Sequence, residues 1–335
     1  EPRWSSSHLQ QHGPGQSEER KFAKMDIESN GCMSNKSVKK LKTNVLRSSK
    51  GSKVSKGDNL LVYYDGTLMN GDRFDANFDF TNFQSPTSNY FSSGEQFILG
   101  PGNVNPFEFT LGAGQVIKGW DQALKNRRLG EVLELTIPAD LAYGDIERPG
   151  IPANSALRFK VELLGSIPED ATVPVFPTLE DINIDPESLG LTSNDYENLD
   201  QLKIGLNGND RVYGDNADDL LIGLKGNDTL MGAAGADLLI GGGGKNHFLF
   251  TDLNDSPDAK GERDKILGFG KKDKVNLRAM ADSLQFIGSD KFRGKSGDVR
   301  FAKETLSVDV DGDQSADFAV KMPGTTSFNA SNLLL

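Results

Sequence analysis

The chain has 335 residues, 36% of them hydrophobic and 25% charged, with 37 glycines, one cysteine and a net charge of −11. A disulfide scaffold is excluded because Cys32 has no partner within the chain, and no run approaches the roughly 18 consecutive apolar residues that span a bilayer as a helix. The charge is unevenly spread: residues 1–57 hold 12 Lys and Arg against 5 Asp and Glu while the rest is acidic, which argues against nucleic acid as the partner of the chain.

Residues 1–50 are rich in Ser, Gln, Lys and Gly and too polar to supply a core, so they read as a basic, mostly disordered tail. His8 and His12 stand at the i, i+4 spacing of a zinc-protease helix, but Leu9 occupies the place of the glutamate that such chemistry needs as its base. The third and last histidine, His247, is far away, so a metalloprotease is not expected. No apolar leader-like segment is visible near the start, and Met25 is a candidate first residue.

From Asp58 the pattern changes to alternation. Leu60, Val62 and Tyr64 share one face of a strand, and Gly66 and Asn70-Gly71 mark a tight turn. A second strand lies around Phe107–Leu111. Ile117, Trp120 and Leu124 then fall at helical spacing, with Gly130 closing the helix. Strands resume over Val132–Ile137 and Ala156–Leu164, with the turn-rich stretch Tyr143–Asn154 between them. Residues 51–167 therefore read as an α+β unit, an antiparallel sheet wrapped around one short helix. Pro168, Pro174, Pro177 and Pro186 among acidic residues mark 168–200 as an extended linker, poor in helix.

Within 201–335 glycine recurs at 205, 214, 223, 232 and 241, a period of nine, with aspartate at 210, 219, 228 and 237 in the same frame. Chance gives those glycines roughly twice in 100,000 in a fixed frame, so this is an internal repeat. Its frame explains itself: glycines admit tight turns, and Val212, Leu221, Leu230, Leu239 and Phe248 supply one inward apolar residue per short strand. If two units make one coil of a parallel β-roll, Asp210 lies over Asp228 and Asp219 over Asp237, about 4.8 Å apart. Carboxylates at that distance repel unless a cation sits between them. Asp oxygens with turn carbonyls at Gly208, Gly226 and Gly235 suit Ca²⁺, several ions of it. The alternative is a metal-free glycine-rich solenoid. Ala217 stands for a glycine and Asn246 for an aspartate of the frame. Asp309, Asp311 and Asp313 read as a hairpin turn with solvated acids, or as a further ion site.

These residues carry two resemblances. Val62-Tyr-Tyr64-Asp-Gly66, Gly71-Asp-Arg-Phe74-Asp75, Phe107–Gly112, Val116-Ile117-Lys-Gly-Trp120 and Leu141-Ala-Tyr143-Gly144 occur in the order seen in FKBP-type peptidyl-prolyl isomerases, and residues 58–167 resemble that family. The resemblance implies a pocket floored by Trp120 and lined by Tyr64, Phe74, Phe107, Val116, Ile151 and Phe159. Ile117 offers its backbone N–H, Tyr143 its hydroxyl, and Asp75 sits at the rim. Such a site needs no cofactor: the barrier of roughly 18–20 kcal/mol is amide resonance, and dry apolar walls favour the twisted amide, which has lost its resonance dipole.

Gly223-Leu-Lys-Gly226-Asn-Asp228-Thr-Leu230 and its neighbours resemble the calcium-binding nonapeptide repeats of the repeats-in-toxin (RTX) family. Beyond the repeats, Asp264–Gly270, Asp273–Leu277 and Leu306–Phe318 are similar to the C-terminal region of serralysin-type secreted proteases. Asn332-Leu-Leu-Leu335 is similar to the endings of type I exported proteins. Together they imply a secreted, extracellular isomerase on a calcium-binding β-roll, with proline-containing peptides or proteins and a type I secretion apparatus as partners. The alternative is a non-catalytic peptide-binding, chaperone or adhesive module.

Overall fold

The computed structural model describes residues 38–78, 90–93, 96–99, 106–185, 187–188, 199, 201–259, 261–281 and 283–335. His8, His12 and most of the loop between Asp75 and Phe107 lie outside them. No helix among the described residues is long and apolar enough to cross a membrane.

The upstream part is built from β1 (Lys42–Arg47), β2 (Asn59–Leu68), β3 (Arg73–Ala76), a hairpin of β4 (Tyr90–Ser93) and β5 (Gln96–Leu99), β6 (Phe107–Thr110), the helix α1 (Lys118–Ala123), β7 (Val132–Ile137) and β8 (Leu157–Ile167). One antiparallel sheet runs β1-β7-β8-β2-β3, with β6 sharing the far edge of β2. Strand alternation decides its two faces. Leu60, Val62, Tyr64, Leu133, Leu135, Phe159 and Val161 bury one face against Trp120 and Ala123 of α1, while Tyr63, Val132 and Leu164 are equally buried on the other.

Three expectations are corrected. Residues 42–47 are a strand rather than part of a disordered tail, because Arg47 is a buried partner: its Nε donates to the Gly130 carbonyl at 3.0 Å and its guanidinium pairs with Glu162. The helix ends at Ala123, and Asn126 (φ 61°) takes the left-handed position expected of Gly130, which instead turns the chain into β7. Gly66 lies inside β2, at an irregularity of its pairing with β3, and the turn is made by Gly71 at φ 97°.

The downstream part is a stack of short strands: β9 (Gln201–Ile204), β10 (Arg211–Tyr213), β11 (Asp219–Ile222), β12 (Lys225–Gly226), β13 (Thr229–Met231), β14 (Leu238–Ile240), β15 (Gly243–Gly244), β16 (His247–Leu249), β17 (Lys265–Leu267), β18 (Lys274–Asn276), β19 (Gln285–Phe286), β20 (Asp298–Ala302), β21 (Thr305–Asp309), β22 (Phe318–Lys321) and β23 (Leu333–Leu334). The sheet β10-β13-β16-β18-β23 is parallel throughout, and β9, β11, β14 and β17 stack in parallel in a second sheet that β22, β21, β20 and β19 extend. Arg211 pairs with Thr229 and Leu220 with Leu238, an offset of two nonapeptides per coil. Between the sheets lie Val212, Leu221, Leu230, Leu239 and Phe248, as the repeat frame predicts. The second sheet is apolar on its outer face as well, where Leu220, Ile222, Leu238 and Ile240 meet Leu179, Ile182 and Ile184. The described part of the stretch read as an extended linker thus lies against this face through Leu179, Ile182 and Ile184, with one turn of 3-10 helix at Glu180–Ile182.

Candidate functional site

Strand β2 and helix α1 set the aromatic cluster. Tyr64 points from β2 toward the helix, its ring 5.6 Å from that of Trp120 at 76° and 5.8 Å from Phe107. Phe159 from β8 stands edge-on to Trp120 at 5.2 Å and to Phe74 at 5.5 Å. Such edge-to-face contacts place the positive rim of one ring on the negative face of the next. The Trp120 indole N–H is buried and has no hydrogen-bond partner among the described residues. Val116, Ile117 and Ile151 are buried in the same cluster, and Tyr143 packs partly buried against it.

The polar groups lie at the edge of this cluster. The Tyr64 hydroxyl donates to Asp75 Oδ2 at 2.9 Å, and burial, then the Asp75 charge, hold its pKa well above the ordinary value, so the phenol stays protonated. Ile117 is the extended residue before α1, and its N–H has no hydrogen-bond partner among the described residues. Arg148 and Ile151 exchange two backbone hydrogen bonds of 2.9 Å, a tight hairpin that seats Ile151 in the cluster and holds the Arg148 guanidinium 5.6 Å from the Tyr143 ring centre. The structure thus gathers Tyr64, Phe74, Asp75, Phe107, Val116, Ile117, Trp120, Tyr143, Ile151 and Phe159 around one cluster of rings.

Two contributors escape sequence reasoning. Asn77 ties the segment after Asp75 to β2: its Oδ1 accepts from the Tyr64 N–H at 2.7 Å and its Nδ2 donates to the Val62 carbonyl at 3.2 Å. Gly66 leaves room for the walls, since a Cβ there would lie 2.8 Å from ring carbons of both Phe74 and Phe159. Gly66→Ala is expected to cost about 1–3 kcal/mol by overpacking, read as a lowered urea midpoint. An unchanged midpoint would show that the rings give way freely.

A second constellation runs along the downstream stack as two ladders. Each aspartate N–H donates to the side chain one coil on: Asp210 to Asp228 (3.0 Å), Asp228 to Asn246 (3.1 Å) and Asn246 to Asp273 (2.8 Å) in one, Asp219 to Asp237 (2.8 Å) and Asp237 to Asp264 (3.0 Å) in the other. That uses one oxygen of each carboxylate. Asp228 Oδ2, Asp237 Oδ2 and Asp264 Oδ2 are buried without a hydrogen-bond partner among the described residues. Desolvation raises Asp228 to about 7 and, with the charge of Asp219 added, Asp237 to about 8; burial and then Asp237 push Asp264 well up. Unsatisfied, mutually repelling hard oxygens fit a hard cation.

The turns hold backbone oxygen close by. At Gly226 (φ 140°) an added Cβ would sit 1.6 Å from the Gly208 carbonyl oxygen, and at Gly235 (φ 125°) 2.5 Å from that of Ala217. Gly208 and Ala217 carry no such positive φ, which is why alanine is accepted at 217. Asp264 and Asp273 join the ladders after a 27-residue step, three nonapeptides where the earlier coils have two, so a two-unit coil misses them although they keep the frame. The recurring Asp-x-apolar-apolar-Gly at 219, 237 and 264 was the available signal. Carboxylate oxygens of Asp309, Asp311 and Asp317 lie within 4.8 Å of one another, with backbone N–H groups of Gly312, Gln314 and Val310 bonded to Asp309 and Asp317, the geometry of a turn. Asn332 is buried, its Nδ2 donating to the Asp273 carbonyl at 3.2 Å, and the last leucines enter the sheet as β23 beside β18.

Residues 50–164 match the family model of FKBP-type peptidyl-prolyl cis-trans isomerases, and residues 191–335 that of the Peptidase M10 serralysin C terminal. The chain is 41% identical over 115 residues to FK506-binding protein 2 of Dictyostelium discoideum, covering 34% of this chain and 68% of that protein. It is 42% identical over 111 residues to FK506-binding protein 1A of Neurospora crassa, covering 33% and 73%, and 39% identical over 109 residues to FK506-binding protein 1 of Saccharomyces cerevisiae, covering 32% and 75%.

Proposed function

The chain belongs to the FKBP-type peptidyl-prolyl cis-trans isomerase family, fused to a serralysin-like C-terminal domain, and from that premise we propose that X–Pro bonds turn in the pocket floored by Trp120. The proline ring rests on the indole between Tyr64, Phe74, Phe107 and Phe159, with Val116 and Ile151 closing the apolar wall. Dry walls raise the planar amide, whose dipole they cannot solvate, relative to the twisted one. The Ile117 N–H and the Tyr143 hydroxyl donate to the carbonyls flanking the bond. Asp75, held by Tyr64, faces the carbonyl as it leaves the plane.

The observation that carries this reading is a cluster of aromatic rings meeting a backbone donor at Ile117 that has no partner among the described residues. Its test is the cis-to-trans rate of a Leu-Pro peptide. Acceleration is expected, and Tyr143→Phe is expected to lower kcat/KM by about tenfold, the worth of one hydrogen bond made in the transition state. Full activity in Tyr143→Phe removes the residue from the mechanism; no acceleration by the intact, folded chain leaves a peptide-binding module.

For the downstream part the proposal is a calcium-filled β-roll. Asp210, Asp219, Asp228 and Asp237, continued by Asp264 and Asp273, hold the ions with turn carbonyls around Gly208, Gly226 and Gly235. The buried, unpartnered oxygens of Asp228, Asp237 and Asp264 support it. The ions are structural and take no part in isomerisation. A roll that folds only at extracellular calcium concentrations, about 10⁻⁴–10⁻³ M for such modules, stays unfolded for export and folds outside the cell. That supports a secreted protein exported by a type I apparatus.

A further inference from the structure

We propose that the isomerase sheet is the end cap of the roll, so that the two parts fold and unfold as one coupled unit. The inference rests on the calcium-filled roll for its switch, and on packing for its substance.

Tyr63 and Tyr64 are neighbours on β2 and point to opposite faces of one sheet. Tyr64 enters the pocket. Tyr63, with Val132 and Leu164, is buried beneath Leu206, which leads from β9 into the first turn of the roll. Leu46, Leu61 and Phe78 pack against that cluster, and the Asn207 N–H donates to the Leu46 carbonyl at 3.0 Å. The open end of a stacked parallel structure exposes apolar surface and needs a cap, and here the outward sheet face supplies it. A strap adds to the cap. Val175 and Ser166 exchange backbone hydrogen bonds of 2.7 and 3.0 Å, Phe176 lies over Gly165, and the Lys50 N–H donates to the Asp181 carbonyl at 2.6 Å. A few residues on, Leu179, Ile182 and Ile184 cover the outer apolar face of the roll.

The interface lies one sheet thickness from the pocket. Phe78 stacks on Tyr63 at 4.9 Å, and Phe78 is next in the chain to Asn77, which holds the Tyr64 backbone next to Asp75. Linkage is reciprocal: an ion that folds the roll stabilises the isomerase sheet, and the sheet tightens the ion.

The test uses the full chain with Trp4→Phe, which leaves Trp120 as the sole tryptophan. Calcium titration monitored by far-UV circular dichroism reads the roll, and Trp120 fluorescence in urea reads the isomerase. Saturating calcium is expected to raise the Trp120 urea midpoint. Ile184→Asp and Leu206→Asp, neither of them a pocket residue, are expected to abolish that rise and to move the calcium midpoint up by roughly tenfold. A dichroism response to calcium with a stationary Trp120 midpoint overturns the coupling, as does an undiminished rise in both variants. If dichroism does not respond to calcium, the calcium reading falls instead. The coupling then stands only if both variants lower the Trp120 midpoint, and is overturned if that midpoint is unchanged.

Discussion

At pH 8 the chain with its calcium chelated is expected to lose most of the circular dichroism of residues 201–335 and to regain it when calcium is restored. The reason is the two ladders. Burial, with like charge beside it, raises the Asp228 carboxyl to about 7 and that of Asp237 to about 8 in the metal-free fold, against an ordinary 3.8. An acid whose pKa rises on folding favours the fold while protonated. Its contribution is complete below about pH 4 and is lost as the pH climbs through 7 to 8. On the proposed calcium reading, protons and calcium are alternative ways to neutralise the same oxygens. The metal-free roll is expected to keep more structure at pH 5 than at pH 8, and calcium to bind more tightly at pH 8 with release of protons. A metal-free chain more ordered at pH 8 than at pH 5, or one whose spectrum ignores chelation, would falsify the ladder account.

Arg47→Ala is expected to destabilise the isomerase domain by about 3–5 kcal/mol. Arg47 and Glu162 are buried partners in β1 and β8, and the same guanidinium holds the Gly130 carbonyl in the turn that leads to β7. Removing the cation strands a buried carboxylate and an unsatisfied carbonyl. Since β1 is the edge strand beside β7, the loss should also free residues 42–47 from the sheet. Urea unfolding read by Trp120 fluorescence measures the cost. Replacing both partners, Arg47→Met with Glu162→Leu, is expected to recover much of it, because no unpaired charge then remains. A single variant within 1 kcal/mol of the parent would mean that water reaches the pair.

The period-nine glycines and the alternation over residues 60–64 could be read directly, because repeats and strand faces are local patterns whose spacing the backbone dictates. The same holds for the parallel pairing two nonapeptides apart, which is set by the length of one coil. The aromatic set became legible only through motif order, since a lone Trp120 or Phe159 in a sequence is indistinguishable from ordinary core. Long-range partnership was not readable at all. Nothing local marks Arg47 as the mate of Glu162, 115 residues away, or Gly66 as the gap that two phenylalanine rings need. Asp264 and Asp273 kept the nine-residue frame, but the coil before them has three units instead of two, and only hydrogen bonding showed which residues they stack on. The stretch with four prolines has a linker's composition, but the outer face of Leu220, Ile222, Leu238 and Ile240 had to be covered, and Leu179, Ile182 and Ile184 were the apolar groups within reach. Local periodicity thus determined the elements and the spacing of the carboxylate ladders. Tertiary structure decided which buried charges pair and how the two parts meet, because burial depends on residues that the chain brings together only after folding.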